Sequence, residues 1–280
     1  MVENRTQSLR LVSSRPSIQQ VALVATDFDG TLLGADREIS QRTKEVLRRL
    51  KEFDIEFVVV TGRPPRFCKS IPDQTGIPTT LVCANGAVAY DPVGDITTQF
   101  ATLDLSDARA LLTEIRDVHP DAGFCAEMAD EFVAERRWLR QAGRATETDI
   151  SDLIPLLDHR VHKLLVNLPD LSADETMTLL NPLVGGRANV MHAGLPFVEL
   201  MPPGVDKAFG LKRLCDQRRI TPKQVVAFGD MPNDNAMLEF AGWGVAVANA
   251  HPNTQGIANE VTRSNLADGV AKVLAEMMGG

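Results

Sequence analysis

The chain has 280 residues, of which 44% are hydrophobic and 24% are charged, and its formal net charge is −8. This length suits one large domain or two smaller ones of an ordinary globular protein. The acidic balance argues against a general binder of nucleic acid or of membrane surfaces, and no apolar run approaches the roughly 18 residues that a membrane span requires.

The first 20 residues are polar and lack the apolar stretch of a secretory signal. We therefore expect residues 1–20 to form a loose N-terminal arm outside the core. The four cysteines are scattered and show no metal-binding spacing. We expect them to be reduced thiols of a cytoplasmic protein.

An apolar run, Val21–Ala25, predicts a short buried strand that leads directly into an acidic turn. Asp27 and Asp29 follow, and Gly30 then allows a tight turn whose backbone N–H groups can face an anion. Two carboxylates at a strand end can hold a hard cation such as Mg²⁺, or can act as a nucleophile and a neighbouring acid–base group. A plain Asp/Gly turn is the simpler alternative.

The next stretch alternates between helix and strand. Ser40 is placed to cap a helix, and Ile55–Val60 is a second apolar strand that ends at Thr61. A further short strand, Leu81–Cys83, is followed by Asn85. This rhythm predicts βαβ units and a parallel sheet, and such sheets bind ligands at the carboxyl ends of their strands.

The pattern changes between residues 87 and 196, where the strands become shorter and less apolar. It predicts a helix over Ser106–Val118, a hairpin over residues 122–134, an exposed loop over Ala142–Asp149, a strand over Val161–Leu168, a helix over residues 172–184 and a strand over residues 187–192. We interpret residues 87–196 as an inserted α+β domain.

The alternating pattern resumes with Phe197–Met201. Lys207 opens a helix, and a later apolar strand, Val225–Phe228, runs into a second acidic turn that contains Asp230 and Asp234. Residues 21–86 and 197–280 therefore predict one α/β core with a doubly wound parallel sheet, interrupted by the inserted domain.

Several chemically active groups thus fall at strand ends or helix starts of one predicted sheet. They are Asp27 with Asp29, Thr61, Lys207, and Asp230 with Asn233 and Asp234. Each alone is more simply a turn residue, a cap or a solvated charge. Together they supply what phosphoryl transfer needs, namely ligands for Mg²⁺, groups that hold phosphate oxygens and a carboxylate that attacks phosphorus.

In order and spacing these groups resemble the four motifs of the haloacid dehalogenase superfamily. The matching residues are Asp27-Phe28-Asp29-Gly30-Thr31, Thr61, Lys207 and Gly229-Asp230-x-x-Asn233-Asp234. An insertion after Asn85-Gly86 is similar to the Cof-type branch of that superfamily, in which a C2-type cap domain joins a Rossmann-like core. The resemblance covers roughly residues 21–275.

The resemblance also implies a role for each matched residue. Asp27 would be the nucleophile that forms an aspartyl-phosphate, and Asp29 would act first as acid and then as base. Thr61 and Lys207 would complete the catalytic set. The Mg²⁺ ligands would be Asp27, Asp29 through its backbone carbonyl, Asp230 and Asp234, and the phosphate or substrate contacts would be Gly30, Gly62, Arg63, Asn85, Lys163 and Asn233.

The inserted cap domain would close over the site and set its specificity. Its candidate contacts are Lys163, Arg136, Arg137, Trp138, Glu127 and His192. Lys163 stands out among them because it is a lysine in an otherwise apolar strand.

The expected function is hydrolysis of small phosphomonoesters, such as sugar phosphates or a phosphorylated cofactor, by a Mg²⁺-dependent monomer or homodimer. A phosphomutase that shares the nucleophile is the main alternative. A phospho-accepting signalling module and a catalytically silent small-molecule binder are alternatives from other classes, because a fold does not by itself fix a function.

Overall fold

The computed structural model describes residues 14–128, 131–141 and 150–279. The strands of these ranges are β1 (Leu23–Thr26), β2 (Glu56–Val60), β3 (Thr80–Cys83), β4 (Val88–Asp91), β5 (Ile96–Gln99), β6 (Gly123–Met128), β7 (Glu131–Ala134), β8 (Val161–Asn167), β9 (Asn189–Met191), β10 (Val198–Met201), β11 (Val225–Gly229), β12 (Trp243–Ala246) and β13 (Glu260–Val261). The α-helices are α1 (Gln41–Arg49), α2 (Ile71–Thr75), α3 (Leu105–Val118), α4 (Arg136–Gln141), α5 (Ala173–Val184), α6 (Lys207–Arg218), α7 (Asn235–Phe240), α8 (Pro252–Ile257) and α9 (Gly269–Met277). The predicted loop Ala142–Asp149 lies outside the described residues.

The core is an eight-stranded sheet in the order β13-β12-β11-β1-β2-β3-β4-β5. Its central strands β11, β1, β2 and β3 are parallel neighbours. Residues of α1 and α9 pack on one face, and residues of α6 and α7 pack on the other. Strands that are covered on both faces read as continuous apolar runs, which is the pattern seen in the sequence. The predicted doubly wound α/β core is therefore confirmed.

A second, antiparallel sheet has the order β7-β6-β8-β10-β9. Helices α3 and α5 cover one of its faces and share a separate apolar cluster with it. The predicted hairpin over residues 122–134 is present as β6 and β7, with its tip at 129–130 outside the described residues. This sheet and its helices form the inserted α+β layer, hereafter the cap.

One strand assignment was wrong. Phe197–Met201 was expected to resume the core sheet, but β10 pairs antiparallel with β8 and β9 of the cap sheet. Conversely, β4 and β5 follow residue 87 but extend the core sheet as an antiparallel hairpin. An apolar run indicates burial and does not specify the partner strand. We therefore propose, from the sheet that each strand joins, that the cap spans residues 100–201 rather than 87–196.

The end of the N-terminal segment is packed on the core, which differs from the loose arm expected for residues 1–20. Ile18 is only 2% exposed and joins the core cluster. Arg15 forms ion pairs with Glu260 and with Glu276. Burial of one apolar side chain, together with these pairs, fixes residues 14–20, and the first 13 residues lie outside the described ranges.

All four cysteines are free and buried. Within the described part of the chain, no helix has both the length and the apolar character needed to cross a membrane.

Candidate active site

The sheet brings the predicted site residues to one edge. Asp27 follows β1, Thr61 follows β2, Asn85 lies two residues past β3, and Asp230 follows β11. These four strands are parallel neighbours, so their carboxyl ends meet at the same edge. The turn after β1 is tied to its neighbour by a 2.9 Å hydrogen bond from the Asp27 backbone N–H to the Phe228 carbonyl.

Lys207 is the buried positive centre of this edge. It is the first residue of α6, which Asp206 caps by accepting a hydrogen bond from the Phe209 backbone N–H. The Lys207 ammonium lies 2.5 Å from Asp27 Oδ1 and 2.6 Å from Asp234 Oδ1, and the residue is 1% exposed. Burial opposes the charged form, but Asp234 and Asp27 raise the pKa of Lys207 above its usual value, so it stays an ammonium group.

The second acidic turn is organised by Asp234. Its Oδ1 binds Lys207, and its Oδ2 accepts hydrogen bonds of 2.9 Å from the backbone N–H groups of Asp230 and Met231. Both oxygens of Asp234 are thereby engaged, which fixes the backbone that carries Asp230. Asp230 in turn accepts a 2.8 Å hydrogen bond from the Thr31 hydroxyl. Burial, with the nearby Asp234 charge, raises the pKa of Asp230 to about 6.

The two acidic turns approach each other so closely at Gly30 that this position has no room for a side chain. Its φ is +80°, a region that favours glycine, and an added Cβ would lie 2.4 Å from Asp230 Oδ2. Any side chain here would therefore displace the Asp230 carboxylate.

The acidic cluster fits a divalent cation. Asp27, Asp230 and Asp234 each offer a carboxylate oxygen, and these oxygens lie within 4.8 Å of one another. When all three are ionised they exceed the Lys207 ammonium by two negative charges, and burial of this charge raises the pKa of Asp27 and of Asp230. Buried charge of this kind is costly unless a partner neutralises it, and a hard oxygen donor set is what Mg²⁺ prefers.

The fourth predicted metal residue, Asp29, points elsewhere. Its carboxylate oxygens accept hydrogen bonds of 2.6 and 2.5 Å from Arg63 Nε and Nη2, and its side chain is 48% exposed. The Asp29 side chain is therefore outside the cluster that Asp27, Asp230 and Asp234 form, at the solvent side of the turn. Its exposure leaves it accessible to a bound molecule.

The turn after β2 carries Thr61, Gly62 and Arg63. Thr61 is 1% exposed, and its hydroxyl accepts a 3.1 Å hydrogen bond from the Arg63 backbone N–H. Asn85 is buried in a left-handed conformation and links this turn to the second acidic turn, because its Oδ1 accepts a 3.1 Å hydrogen bond from Asn233 Nδ2. Asn233 Oδ1 is buried and makes no hydrogen bond among the described residues.

A cavity of about 700 Å³ opens between this edge and the cap. Asp27, Asp29, Gly30, Thr61, Gly62, Arg63, Asp230 and Asn233 line its core side, and Glu127, Trp138 and Lys163 line its cap side. Of the other cap candidates, Arg136 and Arg137 are not among its lining residues, and His192 hydrogen-bonds Asp174 instead.

Lys163 was predicted to contact substrate, but its amine is already engaged. It donates hydrogen bonds of 2.8 Å to the Gly62 carbonyl and 3.0 Å to Glu199 Oε1. Glu199 also accepts a 2.7 Å hydrogen bond from Asn85 Nδ2. Lys163 and Glu199 therefore join the cap sheet to the turns that follow β2 and β3.

The sequence interpretation missed several lining residues, namely Arg37, Arg66, Phe67, Phe132, Leu165, Leu195, Phe197, Glu199 and Met231. A signal for Glu199 was present, because it is a lone acid in an apolar strand just as Lys163 is a lone base. The aromatic residues gave no such signal, since an isolated aromatic side chain in a strand is ordinarily part of a core.

The chain belongs to the haloacid dehalogenase-like hydrolases, because the sequence profile of that family matches residues 24–274. The predicted family and enzyme class are confirmed, since the curated relatives are phosphatases. A 5-amino-6-(5-phospho-D-ribitylamino)uracil phosphatase of Bacillus subtilis is 31% identical over 260 residues, which cover 91% of this chain and 96% of the relative.

Two further comparisons agree with this assignment. An HMP-PP phosphatase of Cronobacter sakazakii is 29% identical over 82% of this chain and 85% of its own length. The solved structure of a haloacid dehalogenase-like hydrolase from B. subtilis superposes with a TM-score of 0.77 at 26% identity, covering 91% of this chain and 99% of that one.

Proposed function

We propose that the protein is a Mg²⁺-dependent phosphatase that hydrolyses small phosphomonoesters, such as a sugar phosphate or a phosphorylated cofactor, through an aspartyl-phosphate on Asp27. The observation that carries this proposal is the charge balance of the buried cluster. Asp27, Asp230 and Asp234 exceed Lys207 by two negative charges at the strand edge, with oxygens within 4.8 Å of one another. A divalent cation restores neutrality there.

Asp27 and Asp230 are the proposed side-chain ligands, with the Asp29 backbone carbonyl, whereas Asp234 positions the turn because Lys207 and two backbone N–H groups occupy its oxygens. When bound, Mg²⁺ would offset the charge of the phosphate and of Asp27. Lys207 supplies the second positive charge and holds Oδ1 of Asp27, which orients the carboxylate toward the cavity.

The reaction has two displacements at phosphorus. In the first, an Asp27 carboxylate oxygen attacks phosphorus, the bond from phosphorus to the ester oxygen breaks, and protonated Asp29 gives its proton to the leaving oxygen. In the second, Asp29 takes a proton from water as that water attacks the aspartyl-phosphate. The bond to Asp27 then breaks and inorganic phosphate leaves.

Asp29 must leave its pair with Arg63 before it can serve as the acid, because both of its carboxylate oxygens accept hydrogen bonds from the guanidinium and neither faces a leaving group. We propose that the substrate phosphate takes over the Arg63 guanidinium. The Thr61 hydroxyl, the backbone N–H groups of Gly30 and Gly62, and the Asn233 amide would hold the remaining oxygens.

The names of the relatives support this proposal. They describe phosphatases that act on a phosphoribitylamino-uracil and on HMP-PP. We further propose that the protein works in the cytoplasm on a metabolite, with no nucleic-acid partner, as a monomer or homodimer.

The test is release of inorganic phosphate from p-nitrophenyl phosphate and from a panel of phosphorylated metabolites, without a bisphosphate primer. We expect turnover with Mg²⁺, no turnover with EDTA, and no turnover by Asp27→Asn. Asp95→Asn, an exposed carboxylate on a hairpin turn, is the matched control and should keep its activity. Undiminished activity of Asp27→Asn or in EDTA would overturn the proposal, and a strict need for a bisphosphate primer would favour a phosphomutase.

A further inference from the structure

The cap sheet presents one of its faces to the active-site cavity. On β8, Leu164 and Val166 pack under the cap helices, whereas Lys163 and Leu165 line the cavity. Alternate residues of a strand point to opposite faces, so the cavity-facing set is fixed by the register of the sheet. This face lies opposite the turns that carry Asp27 and Thr61, and it must therefore contact the part of a substrate that is not phosphate.

The polar half of this face is already paired. Lys163 donates to the Gly62 carbonyl and to Glu199, and Glu199 accepts from Asn85. These groups are nearly fully buried and bond to one another across the cap and core. The hydroxyl groups of a sugar could bond to this half of the face only by breaking these hydrogen bonds, which is unfavourable.

The other half of the face is aromatic. Phe132, Trp138, Leu165 and Phe197 line the cavity. Trp138 is 1% exposed, and its ring centroid lies 5.8 Å from that of Phe132 and 5.6 Å from that of Phe197. Trp138 thus packs against two rings that are themselves only partly buried. The Arg66 guanidinium extends this surface, since it lies 5.5 Å from the centroid of Phe132.

Two polar atoms beside the rings retain free hydrogen-bonding capacity. Arg66 Nη1 and Glu127 Oε2 are buried, and neither makes a hydrogen bond among the described residues. His162 Nε2 and Lys163 Nζ each lie 3.7 Å from Glu127 Oε2, beyond hydrogen-bond distance. Arg66 Nη2 and Glu127 Oε1 bind each other at 3.4 Å, so the two side chains form a pair next to the aromatic surface that has one donor and one acceptor unused.

On the basis of the phosphatase function proposed above, we infer that the alcohol half of the substrate carries a flat aromatic ring, joined to the phosphate through a short aliphatic linker, which packs against Phe132 and Phe197. Aromatic rings in offset or edge-to-face contact gain more than their buried area alone provides. The substrate class is then an aromatic or heteroaromatic phosphomonoester rather than a simple sugar phosphate.

The experiment compares two esters of primary alcohols, pyridin-3-ylmethyl phosphate and D-ribose 5-phosphate, with the Mg²⁺-loaded full-length enzyme. Their leaving groups are both alkoxides, so the comparison reports recognition more than leaving-group reactivity. We expect kcat/KM to be higher for the ring ester by about tenfold, the range of one good aromatic contact. Equal or better turnover of ribose 5-phosphate would overturn the inference.

Phe132→Leu and Phe197→Leu keep an apolar side chain but remove a ring. Each should raise KM for the ring ester by about three- to tenfold and thereby reduce the preference for the ring ester over ribose 5-phosphate. Phe53 packs against the core cluster and does not line the cavity, so Phe53→Leu is the matched control and should leave kcat/KM for both substrates unchanged. Equal losses on both substrates in the cavity variants would show that the rings act only in folding. If p-nitrophenyl phosphate is not hydrolysed either, the phosphatase function itself fails.

Discussion

The ammonium group of Lys207 lies 2.5 Å from Asp27 Oδ1, although 180 residues separate the two in the chain. The same nitrogen lies 2.6 Å from Asp234 Oδ1. One buried cation therefore holds both acidic turns in place, and it ties the first strand of the core to the last third of the sequence. This relationship gives Lys207 a structural role, and the mechanism proposed above also gives it a catalytic one.

Removal of the Lys207 charge should affect stability and rate together. Lys207→Met leaves buried carboxylates without their partner, so we expect the free energy of unfolding to fall by about 3–5 kcal/mol and kcat to fall by at least about 100-fold. Urea denaturation and phosphate release measure the two effects. Lys272→Met breaks an exposed pair with Glu276 and should cost less than about 1 kcal/mol, with unchanged kcat. Similar losses in the two variants would contradict the role assigned to Lys207.

Gly30 offers a test of the fit between the two acidic turns. In Gly30→Ala the new Cβ would lie 2.4 Å from Asp230 Oδ2, so we expect weaker activation by Mg²⁺ and a large loss of kcat/KM. Gly204 also has a positive φ, of +71°, but nothing lies within 4 Å of an added Cβ. Gly204→Ala should therefore cost about 1–2 kcal/mol of stability from backbone strain and leave Mg²⁺ activation unchanged. A Mg²⁺ titration of activity that coincided for the two variants would argue against the contact with Asp230.

The pKa of Asp230 predicts how pH and metal act on stability. The pKa rises from its ordinary 3.8 to about 6 in the folded protein, so the metal-free folded state binds this proton more tightly than the unfolded state does. The contribution of Asp230 to stability is then complete below about pH 4 and is lost as the pH rises through about 6. Because Mg²⁺ needs the carboxylate, the increase in Tm that it produces should grow between about pH 5 and about pH 7.

Thermal unfolding in EDTA and in MgCl₂ across that range measures this effect. Asp230→Asn cannot titrate at this position, so it should weaken the growth of the Mg²⁺ effect with pH. A wild-type Mg²⁺ effect that was constant over the range would be inconsistent with a proton on Asp230 that competes with the metal.

Substitution of Asp29 should slow chiefly the steps of the reaction that require proton transfer. With p-nitrophenyl phosphate the leaving group needs no protonation, so Asp29→Asn should still transfer phosphate to Asp27 and should then hydrolyse the aspartyl-phosphate slowly. We expect a burst of p-nitrophenol followed by a steady rate reduced about 10²- to 10⁴-fold. Rapid-quench or stopped-flow absorbance measures the burst. Asp36→Asn, on the neighbouring exposed turn, is the control. A steady rate close to that of the wild type would remove Asp29 from the mechanism.

The central strands could be read from the sequence because both faces of β1, β2 and β11 are largely buried, so that apolar residues predominate before each turn. The convergence of Asp27, Thr61 and Asp230 followed from parallel pairing, since every carboxyl end then meets one edge. The same reasoning failed for β10. Its apolar run correctly predicted burial, but it did not specify the partner strands. These are β8, which lies more than 30 residues earlier in the chain, and β9, which lies about 10 residues earlier.

The role of Lys163 shows a second limit. Its position as a lone base in an apolar strand made it the leading cap candidate for a substrate contact, whereas the structure buries its amine. Its partners, the Gly62 carbonyl and Glu199, come from distant segments and could not be inferred from local pattern. The cavity-facing rings of Phe132 and Phe197 were missed for the same reason, because the sequence of a strand does not reveal which of its two faces other segments will cover.

The alternation of helices with the central core strands, the acidic turns and the family were determined by the sequence itself, since burial on both faces and tight turns each restrict the residues that a position can hold. Tertiary structure alone decided which carboxylates share Lys207, that Asp29 pairs with Arg63 rather than joining the cluster, and that the cap offers an aromatic surface to the cavity. Those outcomes depend on distances between segments far apart in the chain, and such distances are set only when the two sheets pack.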